Sequence, residues 1–308
     1  MRDTLLVVVG PTASGKTGLA VRLAELVDGE IIGADSVQIY RAFDVGSGKP
    51  TAEELGRAPH HLVDSIDPHA PMDAAVWTQA ADQVIADVRA RGKQPIVCGG
   101  TFLWVKALLY GLAAAPPADQ KVRRRHREEA ERAGREALHQ RLAGVDAPSA
   151  AKLSPNDLVR VSRALEVYEL SGIPLSQWHE LHGFREPRYA SKLLGVQWPR
   201  EQLDRRIYDR TTHMLDAGWV AEVRWLFEQG YAEARAMRSV GYRQIAEALS
   251  ESADLDLDEL RDRIYRATRV FARRQRTWLR DQPVEWLTFH QASGDLEQWL
   301  SSARPDSG

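Results

Sequence analysis

A glycine-rich stretch near the start of the chain carries the clearest chemistry. Residues 10–17 read GPTASGKT, which matches the phosphate-binding pattern G-x-x-x-x-G-K-[ST] at every fixed position. In this pattern backbone amides turn inward around a diphosphate, Lys16 supplies a positive charge and the Thr17 hydroxyl can bind Mg²⁺. The candidate phosphate ligands are the eight residues of this loop: Gly10, Pro11, Thr12, Ala13, Ser14, Gly15, Lys16 and Thr17.

A carboxylate is expected beside this loop. Asp35 follows a second apolar run, residues 30–34, which we interpret as another strand of the same sheet. In an open parallel sheet, ligands bind at the carboxyl ends of the strands, so Asp35 should face the same crevice as the glycine loop. There it would accept a proton or help to organise Mg²⁺. A helix cap or a surface turn is the structural alternative for an aspartate at this position.

Strand-like and helix-like segments alternate around these residues. The predicted strands are 5–9, 30–34, 95–98, 192–198 and 284–287. The predicted helices that accompany them are 15–27, 73–91, 200–229, 240–250 and 257–280. This alternation is typical of a parallel sheet covered by helices. The sequence therefore predicts the α/β fold class, with a P-loop NTPase-like parallel sheet as its core.

The alternation stops in the middle of the chain. Two charged helical stretches, 122–142 and 156–170, follow a pair of prolines, and no convincing core strand occurs among them. We therefore predict one catalytic core built from both ends of the chain, residues 1–111 and 191–308. Residues 112–190 form a helical insertion in this interpretation.

The phosphate loop by itself leaves the reaction open. It binds a diphosphate group, which belongs either to ATP in a small-molecule or nucleoside kinase or to the leaving group of a transferase. Strand 95–98 ends in Gly99-Gly100-Thr101, and not in the acidic residue that binds magnesium in P-loop ATPases and GTPases. This difference counts most against an ATPase or a GTPase, and the kinase and the transferase both stay open at this point.

The amino-acid composition indicates in which cellular compartment the protein is expected. The chain of 308 residues has a net charge of −2 and one cysteine, Cys98, which excludes an internal disulfide and a cysteine-based zinc site. No apolar run approaches the roughly 18 residues of a membrane-spanning helix. We therefore expect a soluble cytoplasmic protein that makes no contact with a membrane.

Arginines recur every three or four residues in the last predicted helix. The arginines that would share one face of this helix are Arg266, Arg269, Arg273, Arg276 and Arg280. Few acidic residues are spaced to neutralise them, so contact with a nucleic acid backbone explains this stripe better than internal ion pairs do. Ile264, Phe271 and Trp278 recur every seven residues on another face and are predicted to anchor the helix to the core.

Eight short motifs occur in an order and spacing that resemble one enzyme family. They are GPTASGKT (10–17), DSVQIYR (35–41), GSGKPT (46–51), HHLVD (60–64), GGT (99–101), NDLVRVSRALEVYELSG (156–172), SVGYRQI (239–245) and RRQRTWLR (273–280). Together they extend over nearly the whole chain. They resemble the bacterial tRNA dimethylallyltransferases, also called tRNA isopentenyltransferases or the IPP transferase family.

The resemblance implies an activity. Enzymes of this family bind dimethylallyl diphosphate on the phosphate loop and transfer its five-carbon prenyl group to the exocyclic amine of the adenosine that follows the anticodon. The target base is flipped out of the anticodon loop into a channel, because a stacked base cannot reach a buried diphosphate. The implied partners are tRNA and dimethylallyl diphosphate, the implied cofactor is Mg²⁺ with Thr17 as a ligand, and the expected species is a monomer.

The resemblance also implies roles for individual residues. Asp35 corresponds to the general base, Thr101 to a residue near the breaking bond, and Arg210 to a diphosphate-binding arginine in the helix pattern L-x-x-R-I-x-x-R. Contacts with tRNA are implied for Asp35, Ser36, Val37, Gln38, Thr101, Arg123, Val159, Arg160, Arg163, Gly241, Tyr242, Arg243, Arg273, Arg274, Gln275, Arg276 and Arg280. The helical insertion is expected to grip the anticodon stem-loop.

The chain departs from the family pattern in two places. The family usually reads GGTGLY where this chain reads GGTFLW, so Phe102 and Trp104 put the local shape of the prenyl pocket in question. Thr211-Thr212 replace the Val-Asp pair that usually follows the helix arginine. Neither departure replaces a residue with an implied catalytic role.

Overall fold

The computed structural model describes residues 3–252, 254–288 and 296. Its chain divides into two compact units. One unit consists of Met1–Leu109 and Tyr189–Gly308 and is called the core unit below. The other consists of Tyr110–Arg188 and is called the insertion unit. The boundaries at 110 and 188 each lie two residues before the boundaries predicted from the sequence.

A parallel sheet forms the centre of the core unit. Its strands in the described part of the chain are β1 (Leu5–Val9), β2 (Gly29–Gly33), β3 (His60–His61), β4 (Gln94–Gly99), β5 (Ser191–Gln197) and β6 (Val284–Thr288). Their order across the sheet is β3-β2-β4-β1-β5-β6, and every neighbouring pair is parallel. The predicted α/β class with a P-loop NTPase-like parallel sheet is therefore confirmed.

Helices cover this sheet because each has an apolar face. Those that belong to the core unit are α1 (Lys16–Val27), α2 (Ala52–Arg57), α3 (Ala74–Ala90), α10 (Arg200–Asp216), α11 (Trp219–Glu228), α12 (Tyr242–Glu251) and α13 (Leu257–Leu279). Helix α4 (Phe102–Tyr110) leads from the core unit to its boundary. In α1, Leu19 and Leu23 are four residues apart and pack into the apolar cluster around Leu6 and Ile96.

The insertion unit is helical, with its own apolar cluster. Its helices are α5 (Gln120–Ala133), α6 (Arg135–Val145), α7 (Ala147–Ala150), α8 (Leu158–Ser171) and α9 (Leu175–His182). Leu138, Leu142, Val161 and Leu165 are almost fully buried together at the centre of this unit. Since these residues lie on α6 and α8 at helical spacing, the pattern that predicted helices here also supplies the core.

Glycine breaks two of the predicted helices. The predicted helix 200–229 is interrupted at Gly218, whose φ of 95° is left-handed, and so becomes α10 and α11. The predicted helix 122–142 is interrupted at Gly134, with a φ of 86°, and becomes α5 and α6. A backbone with positive φ cannot continue a right-handed helix. The short elements β3, α2, α7 and α9 were not predicted because they are too brief to show a period.

The carboxyl ends of β2 and β4 approach each other closely. A Cβ atom placed on Gly99 would lie 2.1 Å from the carbonyl oxygen of Ala34, so only glycine fits there. The amide of Ala34 donates to the carbonyl of Cys98 at 2.8 Å. The ends of the two strands are thereby held together where ligands bind in this fold. Among the described helices, none combines the length and the apolar character that crossing a membrane would need.

Replacing Gly99 with alanine should destabilise the core unit. The added methyl group would meet the Ala34 backbone, and overpacking of this kind lowers the free energy of unfolding by about 1–3 kcal/mol. The control is Gly56→Ala, since a Cβ atom on Gly56 meets nothing within 4 Å. Chemical denaturation measures both variants. A Gly99→Ala protein as stable as the wild type would show that the strand ends are not held at this distance.

Candidate active site

The phosphate loop adopts the conformation that its sequence predicts. It connects the buried strand β1 to α1, and Ala13 (φ 62°) and Gly15 (φ 87°) are both left-handed. Gly15 is the residue that caps α1, and it has no side chain to occupy the first amides of the helix. Those amides and the positive end of the helix dipole are therefore available to an anion. The Ser14 hydroxyl is buried here and has no hydrogen-bond partner among the residues that the structure describes.

The charges around the loop favour an anionic ligand. Burial lowers the pKa of Lys16, and the negative charge of Asp35 offsets this only in part. Burial likewise lowers the pKa of Arg210, again with a partial offset from Asp35. Arg210 lies next to the loop, with Nη1 3.5 Å from the Thr12 hydroxyl. Two cations thus share one nearby carboxylate, and a diphosphate would supply the negative charge that the free site lacks.

The carboxylate of Asp35 is held by backbone amides of the residues that follow it. Its Oδ1 atom accepts hydrogen bonds from the amides of Val37 at 2.9 Å and Gln38 at 3.3 Å. The residue comes two positions after β2 and is half-buried. These bonds fix the orientation of the carboxylate at the sheet edge. Such a carboxylate can accept a proton from a group that lies in front of it.

Thr101 fastens the Asp35 segment to the end of β4. Its amide donates to the carbonyl of Ala34 at 3.1 Å. Its hydroxyl accepts from the amide of Ser36 at 3.0 Å and lies 3.3 Å from the Ser36 hydroxyl. Thr101 therefore sits within the same cluster as the predicted base, where it can also face a ligand.

A cavity of about 420 Å³ lies between these residues. Of the residues predicted for the site, those that line the cavity are Thr12, Ala13, Asp35, Ser36, Val37, Thr101, Arg210, Arg243, Arg274 and Gln275. The sequence motifs thus converge on one space, although they are far apart along the chain. The cavity is large enough for a small organic ligand, since ligand pockets begin at about 300 Å³.

A second recess of about 350 Å³ is lined by three further predicted arginines, two on α13 and one directly after it. Arg273, Arg276 and Arg280 line it together with Trp198 and Trp286. Among the described residues that line this recess none is acidic, and the three arginines form no ion pair with a described carboxylate. This combination of exposed arginines and aromatic rings is suited to nucleic acid.

Comparison with known proteins decides the family. A model of the IPP transferase family matches residues 38–282, which is most of the chain. This chain belongs to the IPP transferase family. It is 61% identical over 283 residues to a tRNA dimethylallyltransferase of Sorangium cellulosum, a match that covers 92% of this chain and 90% of the relative. The resemblance found in the sequence motifs is confirmed.

Solved structures of the IPP transferase family share the fold. A full-length tRNA isopentenylpyrophosphate transferase from Bacillus halodurans matches with a TM-score of 0.71 and 31% identity, covering 98% of this chain and 96% of that one. A eukaryotic dimethylallyltransferase acting on tRNA matches with a TM-score of 0.77, covering 99% of this chain and 81% of that one. At 24% identity, the second match shows the common fold alone.

Two residues predicted to contact tRNA have other tasks in this member of the IPP transferase family. Tyr242 is fully buried, and its hydroxyl donates to Glu222 at 2.6 Å, so its side chain has no surface to offer to RNA. Gln275 is also buried; its Oε1 accepts from the amide of Thr12 at 2.8 Å and its Nε2 donates to the carbonyl of Gly100 at 3.0 Å. Gln275 therefore ties the phosphate loop to the end of β4.

Gly241 and Gln38, which are also predicted to contact tRNA, are constrained by neighbouring groups of the protein. Gly241 has a φ of 91°, and a Cβ atom there would lie 1.9 Å from the ring of Trp219, which explains the glycine by space and backbone conformation. The side chain of Gln38 donates to the carbonyls of Ser47 at 3.2 Å and Gly48 at 2.7 Å. Their contacts with tRNA stay predictions.

The predicted tRNA residues of the insertion unit are differently exposed. Arg123 and Arg163 share the buried carboxylate of Glu166, at 2.9 Å and 2.6 Å. Val159 is 77% exposed, and the side chain of Arg160 is 71% exposed although it forms an ion pair with Asp157 at 2.5 Å. An arginine that already forms an ion pair can bind a phosphate only through those N–H donors of its guanidinium that are still free. Val159 and Arg160 thus have the more accessible surface for RNA.

The helix α13 differs from its prediction at two points. Arg269 is paired with Asp204 at 2.8 Å, so the stripe of five arginines is not wholly unpaired. Asp204 lies far from Arg269 in the sequence, which is why helical spacing within α13 could not reveal the pair. Phe271 is 40% exposed and lines the cavity of about 420 Å³ instead of anchoring the helix, whereas Ile264 is buried as predicted.

The two aromatic departures from the family pattern lie outside the cavity lining. Phe102 stacks on Trp278, with ring centroids 4.7 Å apart, and Trp104 stacks on Trp77 at 5.2 Å. Both side chains are buried on α4. The fold accommodates the larger side chains of Phe102 and Trp104 by stacking them on neighbouring rings outside the cavity lining.

The sequence analysis assigned no role at the site to two residues that lie beside the phosphate loop, Arg206 and Cys98. Arg206 donates from Nε to the carbonyl of Ala13 at 2.8 Å, and its guanidinium lies over the ring of Trp198. The signal was available, because Arg206 is four residues before Arg210 on the same helix. Cys98 lies under the loop, and burial raises the pKa of its thiol to about 12.

Replacing Lys16 with methionine should stabilise the free protein and abolish the binding of inorganic diphosphate. The pKa of Lys16 is lower in the folded protein than its ordinary 10.5, so at neutral pH its charge destabilises the folded state. Methionine removes the charge at similar volume, and the melting temperature should rise by a few degrees. Calorimetry measures the melting temperature and the binding.

The pH dependence of the stability difference between the wild type and Lys16→Met is the control for this prediction. As the pH rises from the lowered pKa to 10.5, the folded protein releases the Lys16 proton before the unfolded chain does. The wild type therefore gains stability relative to Lys16→Met, and the difference between the two should shrink. A methionine variant that melts below the wild type at neutral pH would show that Lys16 stabilises the empty site.

Proposed function

We propose that this chain is a tRNA dimethylallyltransferase, which transfers a dimethylallyl group from dimethylallyl diphosphate to the exocyclic amine of the adenosine that follows the anticodon. The observation that carries the proposal is a cavity lined by Thr12 and Ala13 of the phosphate loop together with Asp35, Thr101 and Arg210. A relative with this name, 61% identical to this chain, supports it. A base and a site for a leaving diphosphate are what this transfer needs.

The reaction uses these groups in one displacement. A bond forms between the amine nitrogen and the first prenyl carbon, while the bond from that carbon to the diphosphate oxygen breaks. The electron pair leaves with the diphosphate, and the amine proton goes to the carboxylate of Asp35. Lys16, Arg210 and the loop amides stabilise the charge that develops on the leaving group. Burial strengthens this effect, since the same charges interact more weakly in water.

Magnesium would act on the diphosphate. Among the described residues, no three His, Cys, Asp or Glu side chains come together as a metal site. Mg²⁺ commonly binds through substrate phosphates and water with one or two protein oxygens, so such a cluster is not required. The hydroxyl of Thr17, half-buried in the first turn of α1, has the chemistry to be that protein ligand. The ion would supply further positive charge to the leaving group.

Transfer RNA would reach the cavity with its target base flipped out of the loop. Flipping unstacks one base, and the contacts made elsewhere on the RNA must offset this. Exposed arginines around both recesses, Arg243, Arg274 and Arg276 among them, supply charge for such contacts. We place the reaction in the cytoplasm and expect a monomer to carry it out.

A direct assay tests this function. Purified protein is incubated with dimethylallyl diphosphate, Mg²⁺ and a tRNA that has adenosine after its anticodon, and the nucleosides are analysed by mass spectrometry. Prenylated adenosine at that position is the expected product. The kinase alternative is not favoured by the relatives, and it predicts stabilisation by ATP with phosphoryl transfer to a small acceptor. Detection of that transfer, with no prenylated tRNA, would overturn the proposal.

Asp35→Ala should slow the chemical step while tRNA binding changes little. Loss of a general base lowers the rate by about 10²–10⁴-fold. Single-turnover kinetics with enzyme in excess measures this step separately from substrate binding. Asp216→Ala, at the exposed end of α10, is the matched control and should react at the wild-type rate. A near-normal rate for Asp35→Ala would remove this residue from the mechanism.

Arg276→Ala should weaken tRNA binding by an amount that depends on salt. Each lost phosphate contact flattens the slope of log K against log salt by about 0.7–0.9. The control is Lys93→Ala, which also removes one positive charge. Lys93 directly precedes β4 and so lies at the amino end of this strand, away from the carboxyl ends where the predicted ligands bind. Affinity for dimethylallyl diphosphate should stay unchanged in both. An unaltered slope for Arg273→Ala, Arg276→Ala and Arg280→Ala alike would exclude tRNA from this recess.

A further inference from the structure

The carboxylate of Glu222, in the first turn of α11, accepts four hydrogen bonds. Three come from consecutive backbone amides: Asp44 at 2.9 Å and Val45 at 2.6 Å to Oε2, and Gly46 at 3.3 Å to Oε1. The fourth comes from the Tyr242 hydroxyl at 2.6 Å to Oε1. Burial raises the pKa of Tyr242, so this phenol stays protonated and keeps its donor. One side chain thus holds a loop and the start of α12 together.

The loop that Glu222 holds, residues 44–48, is part of the cavity wall. Gly46 and Ser47 line the cavity directly. Gly48 touches the predicted diphosphate ligand, since a Cβ atom there would lie 2.1 Å from Nη2 of Arg210. The position of the loop therefore limits where the guanidinium of Arg210 can go.

The ring of Trp219, one turn before Glu222, fixes the same loop from another side. A Cβ atom on Gly46 would lie 1.9 Å from Nε1 of this ring, and one on Gly241 would lie 1.9 Å from its far edge. The indole is wedged between the two glycine segments that border the cavity. At the other end of the loop, Lys49 forms ion pairs with Asp44 at 2.5 Å and Asp64 at 2.6 Å. The side chain of Gln38 binds the carbonyls of Ser47 and Gly48 in the same loop. Among these groups, Glu222 is the one that binds the loop amides.

The arrangement requires a carboxylate. Backbone amides can only donate, so all of the acceptors must come from the side chain that they surround. Hydrogen bonds to an ionised acceptor are shorter and stronger than those to a neutral one. In a glutamine, one oxygen would become an amide group that donates, and it would face at least one donor from the loop or from Tyr242. Glu222→Gln therefore changes the attachment at nearly constant volume.

We infer that Glu222 is a positioning residue for prenyl transfer: it holds residues 44–48 against Arg210, so that the guanidinium meets the leaving diphosphate. This inference rests on the proposed function. Glu222 acts through the loop and Arg210 and does not itself touch the substrate. A misplacement of about 1 Å at a charged group of this kind is enough to slow a reaction by up to about 100-fold.

The experiment compares Glu222→Gln with three variants. Glu228→Gln makes the same chemical change at an exposed position on α11. Val223→Ala opens a cavity at a fully buried position on α11 and lowers stability while it keeps the four hydrogen-bonding groups around Glu222. Tyr242→Phe removes the fourth hydrogen bond to Glu222, together with the contact between the phenol and the Ser47 backbone, and leaves the three amides of residues 44–46 in place. Melting temperature, single-turnover rate, tRNA affinity and affinity for inorganic diphosphate are measured for all four.

Glu222→Gln should lower the single-turnover rate by about 10- to 100-fold, weaken inorganic diphosphate binding and leave tRNA affinity within about twofold. Glu228→Gln should match the wild type, and Tyr242→Phe should retain most of the rate. Val223→Ala should lose stability but keep its rate at temperatures where it is folded.

Two results would overturn the inference. One is an unchanged rate and diphosphate affinity in Glu222→Gln. The other is an equal rate loss in Val223→Ala, which would reduce the role of Glu222 to general stability. If the wild type forms no prenylated tRNA, the proposed function fails instead. The affinity for inorganic diphosphate then still decides whether Glu222 positions Arg210.

Discussion

Unbalanced positive charge at the carboxyl ends of the parallel strands is the constraint on which this structure depends. Lys16 and Arg210 are buried enough to lower the pKa of both, and Asp35 offsets this only in part. Like charges in a medium of low dielectric constant repel each other, so the empty site is electrostatically strained. The fold must hold these cations in place by other contacts, and a diphosphate relieves the repulsion when it binds.

Those other contacts are mostly hydrogen bonds between segments that are distant in the sequence. Gln275 joins the phosphate loop to Gly100, and Thr101 joins the end of β4 to the Asp35 segment. Glu222 joins the loop of residues 44–48 to the start of α12. These bonds are buried or partly buried, and polar groups in such places are costly to leave unpaired, so the network has few alternative arrangements. A preorganised site is the result, and preorganisation is what stabilises a developing charge most effectively.

The sequence was sufficient for five of the six described strands and for many of the residues that line the cavity, because both follow local rules. Strand β1 is a buried apolar run, and the phosphate loop has fixed positions for glycine, lysine and threonine. Long-range partners follow no such rule. The pairing of Arg269 with Asp204 and the burial of Tyr242 depend on how helices pack, which spacing along one helix does not encode. Motif membership therefore predicted tRNA contacts for Tyr242 and Gln275, but it did not indicate that both side chains are buried and hydrogen-bonded to other parts of the core unit.

The single thiol of the chain has a practical consequence for labelling chemistry. Cys98 is 9% exposed beneath the phosphate loop, and its pKa of about 12 leaves almost no thiolate at neutral pH. Alkylating reagents and oxidants act on thiolates, so this residue should be nearly inert in the folded protein. A cysteine introduced at an exposed position would then be the only reactive one. Fluorophores or spin labels can be attached there without first removing the native residue.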